Sequence, residues 1–197
     1  MLSFLPRAAA AAEPLPVLLQ RLARGDHGAL EPLYRQEAGP VYRYALALCG
    51  NAAWAADAMQ DAFVALAQKP ASFDPARGSL GAYLAGAARH ALLARWREAR
   101  DELPLDDGDG GEEAPVQGQA VSPEALLVRE QSGERVWAAL RALPWPFREA
   151  VVLVDLQERP YADAARIAGV ELNTLRTRLH RARLRLASLL AEAGEAP

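Results

Sequence analysis

The stretch PYADAARIAGVELNTLRTRLHRARLRLASLLAE, Pro160 to Glu192, is where the fold is decided. A short helical pattern, a glycine and a long helical pattern follow one another, the order of a helix-turn-helix. Gly169 supplies the positive φ that a sharp turn between helices requires. Ala165 is small where the second helix must cross closely. Val170, Leu175 and Leu179 would close a small core, and Asn173 or Thr174 can cap the second helix. A plain helical hairpin would share this pattern, so the charges have to decide.

Between Asn173 and Leu186 the chain carries Arg176, Arg178, Arg181, Arg183 and Arg185 and no acid. Like charges at this spacing repel and destabilise a helix unless an external polyanion neutralises them. At 100° per residue, Leu175, Leu179, Ala182 and Leu186 form one inward stripe. Asn173, Thr177, His180 and Arg181 lie opposite. Arg176 and Arg183 flank that face on one side, Arg178 and Arg185 on the other. Short polar groups at the centre can reach base edges while cations at the rims meet two phosphate backbones. The arrangement predicts a helix lying in the major groove of duplex DNA.

A net charge of -3 over 197 residues does not argue against that partner. Eight acids and no Lys or Arg lie between Asp101 and Glu124, and without them the remainder stands at +5. The stretch DELPLDDGDGGEEAPVQGQAVS is polar and rich in Gly and Pro, and reads as a flexible acidic tether. With 51% hydrophobic residues and few β-branched ones, the rest predicts an all-α protein. Cys49 is the only cysteine, so an intramolecular disulfide is impossible and a cytoplasmic location is expected. The Ala-rich start reads as a frayed N-terminus rather than a signal, and no run approaches the ~20 apolar residues of a membrane span.

Before the tether four helical segments are expected. One covers about 16–38 and breaks at Gly25-Asp26, where Asp26 can cap its second part; another runs from Pro40 to Cys49. Gly50-Asn51 is a stop and a cap, and Asn51 opens a helix to about Ala67 with Met59, Phe63 and Leu66 at helical spacing. KPASFDPARGS breaks the pattern. Ser79 then caps a long helix to about Arg100, with Leu80, Tyr83, Leu84, Ala87, Ala91 and Ala94 on one stripe. After the tether, Ser122-Pro123 starts a helix to about Ala142, which stops at LPWP; another spans 147–157.

The segment LPWPFREAVVLVDLQERPYADAARIAGVELNTLRTRLHRARLRL, Leu143 to Leu186, resembles region 4 of a bacterial RNA polymerase sigma factor of the small extracytoplasmic-function type. ALCGNAAWAADAMQDAFVALAQ resembles regions 2.1–2.2, and SFDPARGSLGAYLAGAARHALLARWR resembles regions 2.3–2.4. The resemblance implies two small helical domains, region 2 over 16–100 and region 4 over 123–194, with a disordered start (1–15) and an acidic linker (101–122). It implies a transcription initiation factor rather than an enzyme, with no cofactor and no metal. Its expected partners are core RNA polymerase (through the β′ clamp helices and the β flap), promoter DNA and an anti-sigma factor, with no membrane insertion.

Residue by residue, the resemblance puts Asp57, Gln60 and Asp61 on the polymerase contact. It puts Phe73, Arg77, Ser79, Arg89, His90 and Arg95 where the -10 element is melted and a base captured. It puts Asn173, Thr174, Arg176, Thr177, Arg178, His180, Arg181 and Arg183 on the -35 element. Two departures stand out. His90 occupies a position where relatives often carry Asn, and it lacks an amide's paired donor and acceptor. Leu66-Ala67-Gln68 replaces a common Arg-Ala-Trp. The linker would thread a channel that later holds RNA, and its acidity suits a basic channel.

Three other readings compete. An enzyme would need a nucleophile, metal cluster or phosphate loop, and His27, His90, His180 and Cys49 are scattered. A helix-turn-helix regulator explains only the C-terminal half. A sigma-mimic would not need groove-facing arginines. The expected architecture is two all-helical halves whose relative placement the tether sets only weakly, and a β-sheet in either half, or one continuous core fusing the two, would sink it.

Overall fold

A computed structural model describes residues 13–101 and 130–195. The acidic linker and the expected helix start at Ser122 lie outside those residues, Asp101 excepted. Every regular element among the described residues is helical. The elements are α1 (Leu15–Ala23), α2 (Leu30–Cys49), α3 (Ala52–Gln68), α4 (Leu80–Asp101), α5 (Glu130–Ala142), α6 (Trp145–Val151), α7 (Tyr161–Ala168) and α8 (Leu172–Glu195).

The predicted punctuation is where the chain turns. Gly25 has φ 86° and Asp26 accepts from the Gly28 amide, opening a 3-10 turn into α2. Gly50, at φ 67°, ends α2 in the left-handed conformation that glycine adopts without penalty. Asn51 caps α3 by accepting from the Trp54 amide at 3.1 Å.

One expected boundary is absent. α2 runs through Pro40 without a break, although proline removes a backbone donor and crowds the preceding turn. Packing outweighs that cost. Leu33 before it and Val41, Tyr44, Ala45 and Leu48 after it bury on one continuous face. The stripe predicted for α4 is also rotated. Ala82, Leu84, Ala85, Ala88 and Leu92 are buried, whereas Tyr83, Ala87 and Ala91 are partly exposed and Ala94 is exposed. A one-sided wheel misplaces it because α4 packs on several elements: α2, α3 and α7.

In the C-terminal half, α6 starts at Trp145, two residues before the expected position, with Pro144 just outside and Pro146 in its first turn. It continues as a π turn, 152–156, in which the Gln157 amide reaches back to the Val152 carbonyl. A π turn inserts one residue and rotates the side chains beyond it. Here it presents Asp155 to α8 and Gln157 to α2.

Helices α1–α4 form one unit and α5–α8 the second, as the sequence predicts. Their expected weak placement is corrected. Buried residues from both units make one contiguous cluster, with α4 crossing α7 and α2 meeting α6 and the π turn. The physical reason is a set of polar groups that sequence reasoning did not single out. Arg148, only 4% exposed, donates to the Leu48 carbonyl at 2.5 Å, to Arg141 at 2.5 Å and to Leu143 at 3.0 Å. One guanidinium thus satisfies carbonyls left over at the C-terminal ends of two helices, α2 and α5, one from each unit.

Candidate nucleic-acid interface

The turn between α7 and α8 has the geometry that Gly169 implied. Gly169 stands at φ 65°, and the Val170 amide donates to Ala165 at 3.0 Å, a Schellman-type closure. Ala164, Ala165, Ile167 and Ala168 of α7 and Leu175, Leu179 and Ala182 of α8 are all buried in one cluster, and the two helices are in contact. Two helices can approach this closely because one side of the contact is largely alanine. α8 begins at Leu172, so Asn173 and Thr174 lie in its first turn instead of capping it. The Thr177 hydroxyl donates to the Asn173 carbonyl at 2.9 Å.

The face opposite that stripe is open. Asn173, Thr174, Arg176, Thr177, His180, Arg181, Arg183 and Arg185 are exposed, and Arg178 is half-buried. The five arginines are not equivalent. Arg183 forms a forked pair with Asp155, at 2.6 and 3.1 Å, and that hydrogen bond pushes its pKa up. Arg185 lies over the Phe147 ring at 5.0 Å, and Arg176 lies 6.0 Å from Tyr161. Arg178 and Arg181 have no acid or ring partner among the described residues. Together with Asn173, Thr177 and Phe147 they line a shallow groove along the helix. Unneutralised cations beside short polar groups, on a rigid helix, can bind a phosphate backbone and read base edges at once.

On the other unit, the loop after α3 is pinned by its own polar groups. Asp74 accepts from the Ala76 amide at 2.9 Å, and Ser79 caps α4 by accepting from Ala82 at 3.2 Å. Arg77, Ser79 and His90 are exposed. Phe73 is not. It is 7% exposed and packs edge-on against Tyr83 with ring centroids 5.6 Å apart, which makes it a core residue and not an open platform for a base. Arg95 donates to Asp57 at 2.7 Å and lies 5.9 Å from the Trp54 ring. Two residues expected to serve different partners therefore hold each other, while Gln60 and Asp61 are exposed nearby on α3.

Arg89 is engaged across the two units. Its Nε donates to the Glu149 carboxylate at 2.7 Å, and the same Oε1 accepts from the Tyr44 hydroxyl at 2.8 Å. Glu149 and Tyr44 are both fully buried. Burial, reinforced by the Glu149 charge, holds the Tyr44 phenol well above its ordinary pKa, so it stays a donor. Glu149 lies between Arg148 and Ala150 in the segment that resembles region 4, and nothing in those neighbours names Tyr44 and Arg89 as its partners. Arg89, His90 and Arg97 share a cleft of about 390 Å³ with Trp145, Gly169 and Arg178. The structure thereby brings expected -10 and -35 residues to one place.

No described helix is long and apolar enough to cross a membrane, and no group of three or more potential metal ligands occurs among the described residues. A family model for sigma-70 region 2 matches residues 33–102, and one for sigma-70 region 4 matches residues 133–186. Among curated proteins, the chain is 33% identical to the ECF RNA polymerase sigma factor SigE of Mycolicibacterium smegmatis, over 86% of this chain and 66% of that one. It is 33% identical to EcfG of Rhodopseudomonas palustris over 75% and 77%, and 33% identical to SigM of Mycobacterium tuberculosis over 88% and 83%. Two solved structures share the fold. One is the sigma factor RpoE of Bartonella quintana in complex with the anti-sigma factor NepR, with TM-score 0.64, 24% identity and coverage of 82% and 96%. The other is CnrH in complex with the cytosolic domain of CnrY, with TM-score 0.63, 23% identity and coverage of 89% and 96%. An open basic face on a helix-turn-helix, a second helical unit ahead of it, and matches to both regions in the right order agree: the chain belongs to the extracytoplasmic-function sigma factors of the sigma-70 family.

Proposed function

We propose that this protein binds core RNA polymerase in the cytoplasm and directs it to a set of promoters. Region 2, about 16–100, docks on the polymerase through the α3 surface around Gln60 and Asp61 and engages the -10 element through Arg77, Ser79, Arg89 and His90. Region 4, about 123–194, reads the -35 element with α8. Asn173, Thr177, His180 and Arg181 face the bases, and Arg176, Arg178 and Arg183 meet the flanking phosphates. The protein performs no chemistry of its own, and the polymerase supplies it. Control by an anti-sigma protein is part of the reading, supported by the anti-sigma factor NepR bound to the RpoE whose fold this chain shares. The observation that carries it is the open face of α8, where Arg178 and Arg181 have no counter-charge among the described residues.

The test is transcription from a random promoter library by core polymerase with and without this protein. The expected result is a discrete set of start sites sharing two upstream elements, seen only when the protein is added. Core polymerase that gains no start sites, while the protein still binds duplex DNA, would favour a helix-turn-helix regulator instead.

A further inference from the structure

The cleft between α4 and the turn that joins α7 to α8 differs from the open groove of α8 in shape and in lining. It encloses about 390 Å³ and takes residues from both units. That space is too small for a duplex and falls in the range of roughly 300–1,000 Å³ usual for small-molecule sites. Arg89, His90 and Arg97 of α4 and Arg178 of α8 line one part of it, and no acid is among its lining residues. Arg89 is held by Glu149. Arg97 is exposed and Arg178 half-buried, and neither has an acid partner among the described residues.

The rest of the lining is apolar and aromatic, with Trp96, Trp145 and Val170. Trp145 is only 7% exposed, and its buried indole N–H has no hydrogen-bond acceptor among the described residues. A buried donor without an acceptor is costly, so a ligand that carries one gains by entering. A molecule that matches both parts is anionic at one end and flat, with ring acceptors, at the other. Guanidinium forks fit phosphate oxygens, and indole rings accept the face of a heterocycle. Arg97 and Arg178 stand on different helices, and a chain of two or more phosphates can meet both. Inorganic phosphate alone would leave the aromatic lining unused, while an uncharged ring would leave both arginines without counter-charge.

We propose that this cleft binds a nucleoside polyphosphate, with its phosphates on Arg97 and Arg178 and its base against Trp96, Trp145 and Val170. Arg178 and His90 are also expected promoter contacts, so a bound nucleotide competes with promoter DNA and makes initiation sensitive to nucleotide concentration. That consequence, unlike the site itself, rests on the reading of α4 and α8 as promoter-contacting helices.

Equilibrium dialysis of the full chain against labelled GTP reads the site without DNA or polymerase. GTP should bind about tenfold or more tighter than GMP, which lacks the phosphate chain, and than pyrophosphate, which lacks the base. Arg97→Ala and Arg178→Ala should each weaken GTP about tenfold, the scale of a lost charge-assisted hydrogen bond. Arg24→Ala, at an exposed arginine that ends α1 outside the cleft, should leave GTP binding as it is. GTP should also weaken the binding of wild type to a duplex selected from the promoter library, and Arg97→Ala should make duplex binding indifferent to GTP. A wild-type chain that takes up no GTP at millimolar concentration overturns the site. So does equal binding of GTP, GMP and pyrophosphate, or an equal loss in Arg24→Ala, since either reduces the cleft to diffuse attraction between charges. GTP binding that persists when the library transcription test fails leaves the site standing and removes only its link to promoters.

Discussion

Arg181 and Arg185 lie one turn apart on α8 with unlike surroundings, and they should fail differently. Arg181 is exposed beside Thr177 on the open groove, whereas Arg185 is stacked over Phe147. Arg181→Ala should cost about 1–3 kcal/mol on a duplex selected from the promoter library and relax preference at one base position. Arg185→Ala should weaken selected and scrambled duplexes alike and flatten the salt dependence by about one phosphate contact. Titrations of the full chain at several salt concentrations separate the two; equal losses on both duplexes for both variants would reduce α8 to an electrostatic anchor. On α3, Asp61→Arg is the clean probe of polymerase docking, since Asp61 is exposed. It should weaken core binding in a pull-down while shifting stability by less than about 0.5 kcal/mol. Asp57→Arg is less direct, because it would also set two cations together at Arg95.

Local chemistry wrote the elements of this fold legibly, and long-range packing hid the rest. Gly25, Gly50, Asn51 and Gly169 act within a few residues of themselves, so each can be read from its neighbours. The face of α8 is legible for the same reason: a helical wheel places side chains without knowing what packs behind them. Pro40 misleads because its local preference is outweighed by apolar contacts along all of α2. Phe73 can be core or base platform from sequence, and only the position of Tyr83, ten residues on, settles it as core. Glu149 escapes a sequence reading since Tyr44 and Arg89 are 105 and 60 residues away. Glu37 of α2 belongs to this class as well. Half-buried, it has its carboxyl pushed up from the ordinary value chiefly by burial, with Arg159 pulling weakly the other way. A carboxyl raised on folding disfavours the native state while it is ionised, and protonation removes the penalty. Glu37→Gln should therefore raise Tm at neutral pH, and the gain should shrink as pH falls through the folded-state pKa. A gain that grows on acidification would assign Glu37 a net favourable pairing with Arg159.

At the scale of the whole molecule, a continuous core counts against two weakly coupled regions, and the described residues do form such a core. The two-region organisation survives because the cluster is joined through a few polar groups, which can be exchanged for water, as well as through alanine-rich contacts. Arg148 makes three hydrogen bonds at this junction. Burial pushes its guanidinium pKa down, yet an arginine remains charged, and three carbonyls from α2, α5 and the turn after α5 surround it. Removing the side chain leaves those carbonyls without their donor and opens a space at the junction. Arg148→Ala should cost about 3–5 kcal/mol, the scale for breaking a buried charged network. Its second consequence is specific to the junction. Wild type should unfold in urea as one transition, seen alike by helicity and by tryptophan fluorescence. In Arg148→Ala the two units lose their shared cap, and the transitions should separate by probe, with a shallower overall slope. Arg148→Lys can satisfy one carbonyl but not a fork of three, so it should fall between. A single, steep and merely shifted transition for Arg148→Ala would mean that apolar contact between α4 and α7, and not this guanidinium, makes the two units unfold together.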